Sequence, residues 1–270
     1  MPRLSIVIVS YHSRADLEGC LRSLSDAPPR TDHDIVVVDN ASTDGTPAYV
    51  RERWPLVRLI EAGGNVGFAR ANNLGIRATA GELVLLLNPD TVVPPGAIDA
   101  LVAVLEAHPD AAVAGPRLID RQGRAELSFG GMIGPVAELR QKLLVVGNDR
   151  GLPPFEAIVE RLTRRSRIVD WVSGACLLIR RSDLEAVGLF DERFFLYTED
   201  VDLCASIRAR GRQVRFAAEV EIVHLRGRSG AGSPGATAAA YRRSRIAFYE
   251  KHHPAWVPAL KAYLWLRGER

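Results

Sequence analysis

The sequence predicts an α/β fold, with a Rossmann-like, mostly parallel central sheet flanked by helices and followed by a C-terminal helical extension. Three observations carry that expectation. The strand candidates are continuous apolar runs rather than alternating ones, as expected for strands buried on both faces. They alternate with segments of helical periodicity in a βαβα order. Polar clusters follow the strand candidates, at the carboxyl ends where such sheets bind ligands.

Leu4 to Val9 is the first β-branched run, and Leu17, Cys20, Leu21 and Leu24 then recur at helical spacing. Ile35 to Val38 is the second strand. Thr46-Pro47 reads as an N-cap followed by proline at the first helical position. Val57 to Ile60 is a third strand, Phe68 to Ala78 a helix, Leu83 to Leu87 a fourth strand, Ala97 to Ala107 a helix and Ala111 to Ala114 a fifth strand. Residues 120–170 are punctuated by Gly130-Gly131, Gly147, Pro153-Pro154 and Arg164-Arg165. They read as a less regular, variable insertion that helps define a substrate. A strand at Ala175 to Ile179, a helix from Val201 to Arg210 and short strands at Val214 to Phe216 and Val220 to Val223 follow. Arg226 to Ala236 is rich in Gly and Ser and reads as a mobile loop. Helices near 237–252 and 256–267 close the chain. The expected division is a main domain over 1–228, in two halves (1–115 and 116–228), and then the loop and helices of 229–270.

The 270 residues are 47% apolar and 25% charged, ordinary values for a globular protein with a sizeable core. Thirty-five Lys/Arg against 32 Asp/Glu leave a net charge of +3, too little to argue for nucleic acid. Residues 241–270 hold seven Lys/Arg and two Asp/Glu, with Trp256, Tyr263, Trp265, Lys261 and Arg267 among them. That tail suits peripheral contact with an anionic membrane, a helix packed on its own domain, or a second subunit in a homodimer. Cys20, Cys176 and Cys204 show no CxxC spacing, so they read as buried thiols rather than a zinc site or disulfide framework. The N-terminal apolar run is too short for a secretory signal, and nothing approaches the roughly 20 apolar residues of a membrane span. The expected location is cytoplasmic, peripheral at the inner face of the membrane.

Four polar clusters follow strands. Ser10-Tyr11-His12 lacks the glycines of a dinucleotide-binding loop, which argues against a nicotinamide cofactor; Tyr11 could stack on a base. In Asp39-Asn40-Ala41-Ser42-Thr43-Asp44-Gly45 a strand-end carboxylate can accept from a pyrimidine N–H or a ribose hydroxyl, or simply form an Asx-turn. Asn65-Val66-Gly67-Phe68 opens a helix in which Asn72 and Asn73 are mediocre formers. Asn88-Pro89-Asp90 offers a carboxylate for a hard cation carrying a diphosphate, or a turn. Downstream, Glu199-Asp200-Val201-Asp202 reads equally as acids complementing a helix N-terminus.

Taken together and in order, these motifs resemble the family 2 glycosyltransferases with a GT-A fold, most nearly the rhamnosyltransferase-like branch. Trp171-Val172-Ser173-Gly174-Ala175-Cys176 and Phe190-Asp191-Glu192-Arg193-Phe194-Phe195 extend the resemblance over residues 3–228. It implies an inverting, metal-assisted transfer of a sugar, rhamnose or another hexose, from a dTDP- or UDP-sugar to a hydroxyl of a saccharide or lipid-linked acceptor in cell-surface glycan synthesis. Ser10, Tyr11, Asp39, Asn65, Gly67, Asn72 and Asp90 fall on the donor side. Asp90 and His224 are the implied ligands of Mn²⁺ or Mg²⁺, with Asn88 replacing the first carboxylate of the DxD-type motif. Asp200 is the implied general base, supported by Glu199, with Trp171, Gly174 and Asp202 on the acceptor side. Arg226, Arg228 and Ser229 are placed to close over the diphosphate. A nucleotidyltransferase would show a Gly-rich basic loop after the first strand, and a non-catalytic homologue would not need Asp90, Asp200 and His224.

Overall fold

A computed structural model describes residues 1–225 and 234–266. The expectations for Arg226, Arg228, Ser229 and Arg267, and the boundary at residue 228, lie outside the described residues.

In chain order the elements are β1 (Leu4–Ser10), α1 (Arg14–Asp26), β2 (His33–Asp39), α2 (Thr46–Arg53), β3 (Arg58–Glu61), α3 (Phe68–Arg77), β4 (Leu83–Leu87), β5 (Thr91–Val92), α4 (Ala97–Ala107) and β6 (Ala111–Ile119). Then come β7 (Phe129–Gly130), α5 (Pro135–Asp149), α6 (Pro153–Thr163), β8 (Arg167–Val169), β9 (Trp171–Val172), β10 (Cys176–Arg180) and α7 (Arg181–Ala186). The chain continues with α8 (Glu199–Ala209), β11 (Gln213–His224), α9 (Pro234–His252) and α10 (Val257–Leu266).

The main sheet runs β3-β2-β1-β4-β10-β6-β11-β5, with β8 added beside β11. Every residue of β1 and β4 is buried, which is why these strands read as unbroken apolar runs. Strands β3, β2, β1 and β4 are parallel; β10 is antiparallel to both β4 and β6; β11 is parallel to β6. This topology decides where the site lies. Strands β1, β2, β4, β6 and β11 all leave the sheet at one edge, and β10 enters from that same edge. The ends of β1, β2, β4 and β11 and the residues just before β10 therefore converge.

Residues 120–170 depart from the expected irregular insertion. They hold two helices, α5 and α6, and two short strands that pair outside the segment: β7 with β9, and β8 with β11. Of the residues that looked like punctuation, Pro153 and Pro154 open α6, while Gly147 lies within α5 and Gly130 within β7. The two short C-terminal strands of the sequence reading are one strand, β11, whose register against β6 shifts between Ala217 and Glu221.

The C-terminal helices pack on the rest of the chain. Phe248 and Tyr249 of α9 and Leu260 and Leu264 of α10 cluster with Phe194 and Val201, beside the start of α8. Trp256, Tyr263, Trp265 and Leu266 stay exposed. All three cysteines are free and buried, as read from the sequence. Among the described residues no helix is long and apolar enough to cross a membrane.

Candidate active site

The ends of β1 and β2 form one wall. Asn40 N–H donates to Ser10 O at 2.8 Å, and His12 N–H to Ser42 Oγ at 2.9 Å, so the two strand-end loops are tied together. His12 (φ 49°) and Ala41 (φ 69°) hold left-handed backbone in those loops, a conformation costly for residues with a Cβ. Ser10 is buried with its Oγ 2.8 Å from Ser13 Oγ, while Tyr11 is half-buried with its ring centroid 4.2 Å from that of His12. Asp39 is 1% exposed, and its Oδ2 accepts the Ser42 N–H at 2.9 Å. Its Oδ1 is buried with no hydrogen-bond partner. An unmade buried hydrogen bond costs about 1–3 kcal/mol, so an acceptor kept in that state at a strand end is suited to an N–H or O–H brought by a ligand.

Other expected donor residues do a different job. Asn65 Oδ1 accepts from Asn40 Nδ2 at 2.9 Å and from the Gly67 N–H at 3.2 Å, so its oxygen shapes the loop. Gly67 has φ 86°, and a Cβ there would lie 2.5 Å from Phe195 O. The Phe68 N–H donates to that same carbonyl at 2.7 Å. Gly67 thus lets the residue 190–198 loop dock on the first turn of α3. Asn72 is 1% exposed, and its Nδ2 donates to Phe68 O within α3. Its neighbour Asn73, which was not singled out as a site residue, clamps the two halves together. Asn73 donates to Phe190 O and Glu192 Oε1 and accepts the Phe190 N–H, at 2.9, 2.9 and 3.0 Å.

The end of β4 meets the end of β11. Asp90 is 2% exposed, and its backbone carbonyl accepts the Leu225 N–H at 2.8 Å. Its Oδ1 lies 3.3 Å from His224 Nε2, while His224 Nδ1 lies 3.1 Å from Glu126 Oε2. Burial pulls the imidazole toward neutrality, but the hydrogen bonds to Asp90 and Glu126 outweigh it and hold His224 at about 9. Nothing in the sequence marked Glu126, because it falls in the segment read as an insertion. A carboxylate and an imidazole make a donor set suited to Mn²⁺ or Mg²⁺. Adjacent ligands on one octahedral ion with bonds of about 2.1 Å stand about 3 Å apart, close to what this pair shows. Among the described residues no group of three or more His, Cys, Asp and Glu could hold an ion alone. A cation here would take its remaining ligands from phosphate oxygens and water.

Opposite lies the start of α8. Tyr197 (φ 70°) and Thr198 (φ 64°) both sit in left-handed backbone, and about 1–2 kcal/mol of strain per residue is spent on aiming the first turn. Asp200 Oδ2 accepts the Gly174 N–H at 2.8 Å, and its Oδ1 accepts the Val201 N–H at 2.8 Å. A Cβ on Gly174 would stand 3.4 Å from Asp200 Cβ, at ordinary van der Waals distance, so Gly174 lies directly against the Asp200 side chain. Burial raises the Asp200 carboxyl above the usual aspartate range, against the pull of those two N–H groups. Glu199 is 6% exposed, its Oε2 has no partner, and burial followed by the neighbouring Asp200 charge lifts its carboxyl well above the usual range.

The structure does not free Asp202 for an acceptor. Its Oδ2 takes Lys251 Nζ at 2.8 Å and its Oδ1 meets His252 Nε2 at 2.7 Å, so both oxygens are spent on α9. The two-residue step from Asp200 past Val201 along a helix turns the two carboxylates to different faces. Trp171 donates its indole N–H to Gly131 O at 2.9 Å and packs across Gly130, which makes it a support for the β7–β9 pair.

Residues 5–188 match the family model described as Glycosyl transferase family 2. The N-acetylglucosaminyl-diphospho-decaprenol L-rhamnosyltransferase of Mycobacterium tuberculosis is 35% identical over 94% of this chain and 86% of that protein. The rhamnosyltransferase WbbL of Escherichia coli is 24% identical over 60% of this chain and 62% of that protein. Among solved structures, the mannosyltransferase PcManGT of Pyrobaculum calidifontis, in complex with GDP-Man and Mn²⁺, superposes with a TM-score of 0.64 at 22% identity. That match covers 98% of this chain and 70% of the other, and it shows a shared GT-A fold.

Proposed function

The chain belongs to glycosyl transferase family 2, and from that premise we propose that it is an inverting, cation-assisted transferase that moves rhamnose from a dTDP-sugar, or another hexose from a UDP-sugar, to a lipid-linked saccharide. The observation that carries this reading is the convergence of three kinds of group at one sheet edge. They are the open acceptor of Asp39, the Asp90–His224 pair, and Asp200 held by the Gly174 and Val201 amides. The name of the 35% identical relative favours rhamnose and a polyprenyl-diphosphate acceptor.

In this reading Asp39 Oδ1 accepts from the pyrimidine or ribose of the donor, and Tyr11 flanks the base. Asp90 and His224 hold the cation, which when bound neutralises the diphosphate leaving group. Asp200 is held with both oxygens oriented by N–H donors, and each oxygen keeps a lone pair for the acceptor hydroxyl. It takes the hydroxyl proton as the oxygen attacks the anomeric carbon and the bond to diphosphate breaks. A single displacement inverts the anomeric centre. Burial raises the Asp200 pKa, which makes its carboxylate a stronger base than an exposed aspartate. The exposed Trp256, Tyr263, Trp265 and Leu266 are where peripheral contact with a membrane bearing the acceptor would occur.

The test is a donor screen. Thermal shift with dTDP, UDP and their sugars, each with Mn²⁺ or Mg²⁺, should single out one nucleotide. Transfer to a short-chain lipid-linked saccharide should give a product of inverted anomeric configuration. Retention of configuration, or nucleotide binding indifferent to Asp39→Ala, would overturn the reading.

A further inference from the structure

Glu126 belongs to no motif, yet the sheet delivers it to His224. Ile119 at the end of β6 bridges Ala125, and the Glu126 N–H donates to Leu118 O at 2.9 Å. The same end of β6 runs beside β11, with Ile119 opposite Val223. Strand register therefore fixes the separation of Glu126 and His224. Glu126 is 4% exposed, so its carboxyl has given up most of its hydration to stand there.

The two ring nitrogens of His224 face different carboxylates. Glu126 Oε2 is 3.1 Å from Nδ1, and Asp90 Oδ1 is 3.3 Å from Nε2. An ionised carboxylate only accepts, so Glu126 draws the Nδ1–H toward itself. In the neutral ring that leaves the Nε2 lone pair on the side of Asp90. A carboxylate on the far nitrogen is how metal-binding histidines have their tautomer and ring plane set. We infer that Glu126 is a positioning residue of the cation site, orienting His224 so that Nε2 and Asp90 Oδ1 face the same ion. The inference rests on the reading that Asp90 and His224 hold the cation.

A purely structural Glu126 would only anchor the ring, and the two roles separate in metal affinity. The experiment is Mn²⁺ binding to the full chain with saturating dTDP or UDP, followed by loss of the free-ion electron paramagnetic resonance signal. Circular dichroism and thermal melts are recorded alongside. Glu126→Ala should weaken Mn²⁺ about 10–100-fold. Glu126→Gln, whose amide oxygen still accepts from Nδ1–H, should stay near wild type. Glu126→Asp, one methylene short, should fall between them. Metal-free nucleotide binding should be the same in all four proteins.

Wild-type Mn²⁺ affinity in Glu126→Ala, with loss in Asp90→Ala, overturns the positioning role and leaves the cation site standing. Wild-type affinity in both variants overturns the cation reading itself, and the inference with it. Where the alanine variant does not fold, the Gln and Asp variants decide: equal affinities, or a weaker Gln than Asp, refute the role.

Discussion

Replacing Asp202 with alanine should loosen the catalytic turn from the C-terminal helices without touching the donor. The carboxylate is 2% exposed and holds Lys251 at 2.8 Å and His252 at 2.7 Å. Breaking a buried ion pair by removing one partner costs about 3–5 kcal/mol. Lys251 keeps Asp191 at 3.0 Å and its side chain is 28% exposed, so its charge is not stranded. A loss of about 2–3 kcal/mol is the reasonable figure after that discount. At about 2–4 °C per kcal/mol for a chain of this size, the melting temperature should fall by about 4–12 °C. Differential scanning calorimetry gives that number. A cycle with Lys251→Ala should be non-additive, the second substitution costing less than the first. The turnover consequence follows from where α9 grips. Ser244 Oγ donates to Leu196 O at 2.8 Å, and Phe248 packs with Phe194 and Val201, so a loosened α9 frees the loop that aims Asp200. kcat should fall while donor Kd holds. A melting temperature within about 1 °C of wild type, with a raised acceptor KM, would refute the clamp and return Asp202 to the acceptor.

Asp200→Asn should lower kcat by about 10²–10⁴-fold with donor affinity retained, measured by transfer rate and nucleotide titration. It should also cost some stability, because the Asn amide nitrogen must face one of the two N–H groups, Gly174 or Val201, that now share the carboxylate. Asp39→Ala should weaken nucleotide binding by about 1.5–3 kcal/mol, about 10–150-fold, read by calorimetry. Glu199→Gln should stabilise the protein at pH 8 and leave it unchanged at pH 4. A carboxyl raised in the folded state binds its proton more tightly there, so its favourable contribution is present below the unfolded pKa and lost as pH rises through the folded one. Thermal melts at the two pH values check the sign.

The first half of the sheet was legible because burial on both faces forces β1, β2 and β4 into apolar runs, and the polar residues at their ends form the candidate site. Ser10, Asp39 and Asp90 all stand at such ends. Within that half, the roles of the asparagines were not legible. Asn65 and Asn72 bond to backbone two and four residues away once the turn and helix have formed, and Asn73 reaches Phe190, 117 positions along the chain. Glu126 was invisible for a stronger reason: it comes within 3.1 Å of a residue 98 positions away, through a bridge at Ile119 that no local pattern announces. The helices α5 and α6 were hidden by Gly147, which lies within α5, and by Pro153 and Pro154, which open α6. The carboxylates Asp200 and Asp202 look equivalent in sequence, and helical geometry alone sends them to opposite duties.

The base proposed at Asp200 is tuned by effects that oppose one another. A helix N-terminus and two N–H donors favour the ionised carboxylate, while burial disfavours it, and the net result for Asp200 is a raised pKa. The Gly174 amide contributes to that balance by donating to Asp200 Oδ2 at 2.8 Å. The same turn carries two consecutive left-handed residues, Tyr197 and Thr198, and a buried Glu199 with an unpartnered oxygen. Each of these costs stability on its own. They persist because the turn is held from outside, by Phe195 on Gly67, Phe190 on Asn73 and Asp202 on α9. In the proposed mechanism the strain thus sits in the turn that carries the base, and the clamps hold that turn from neighbouring elements.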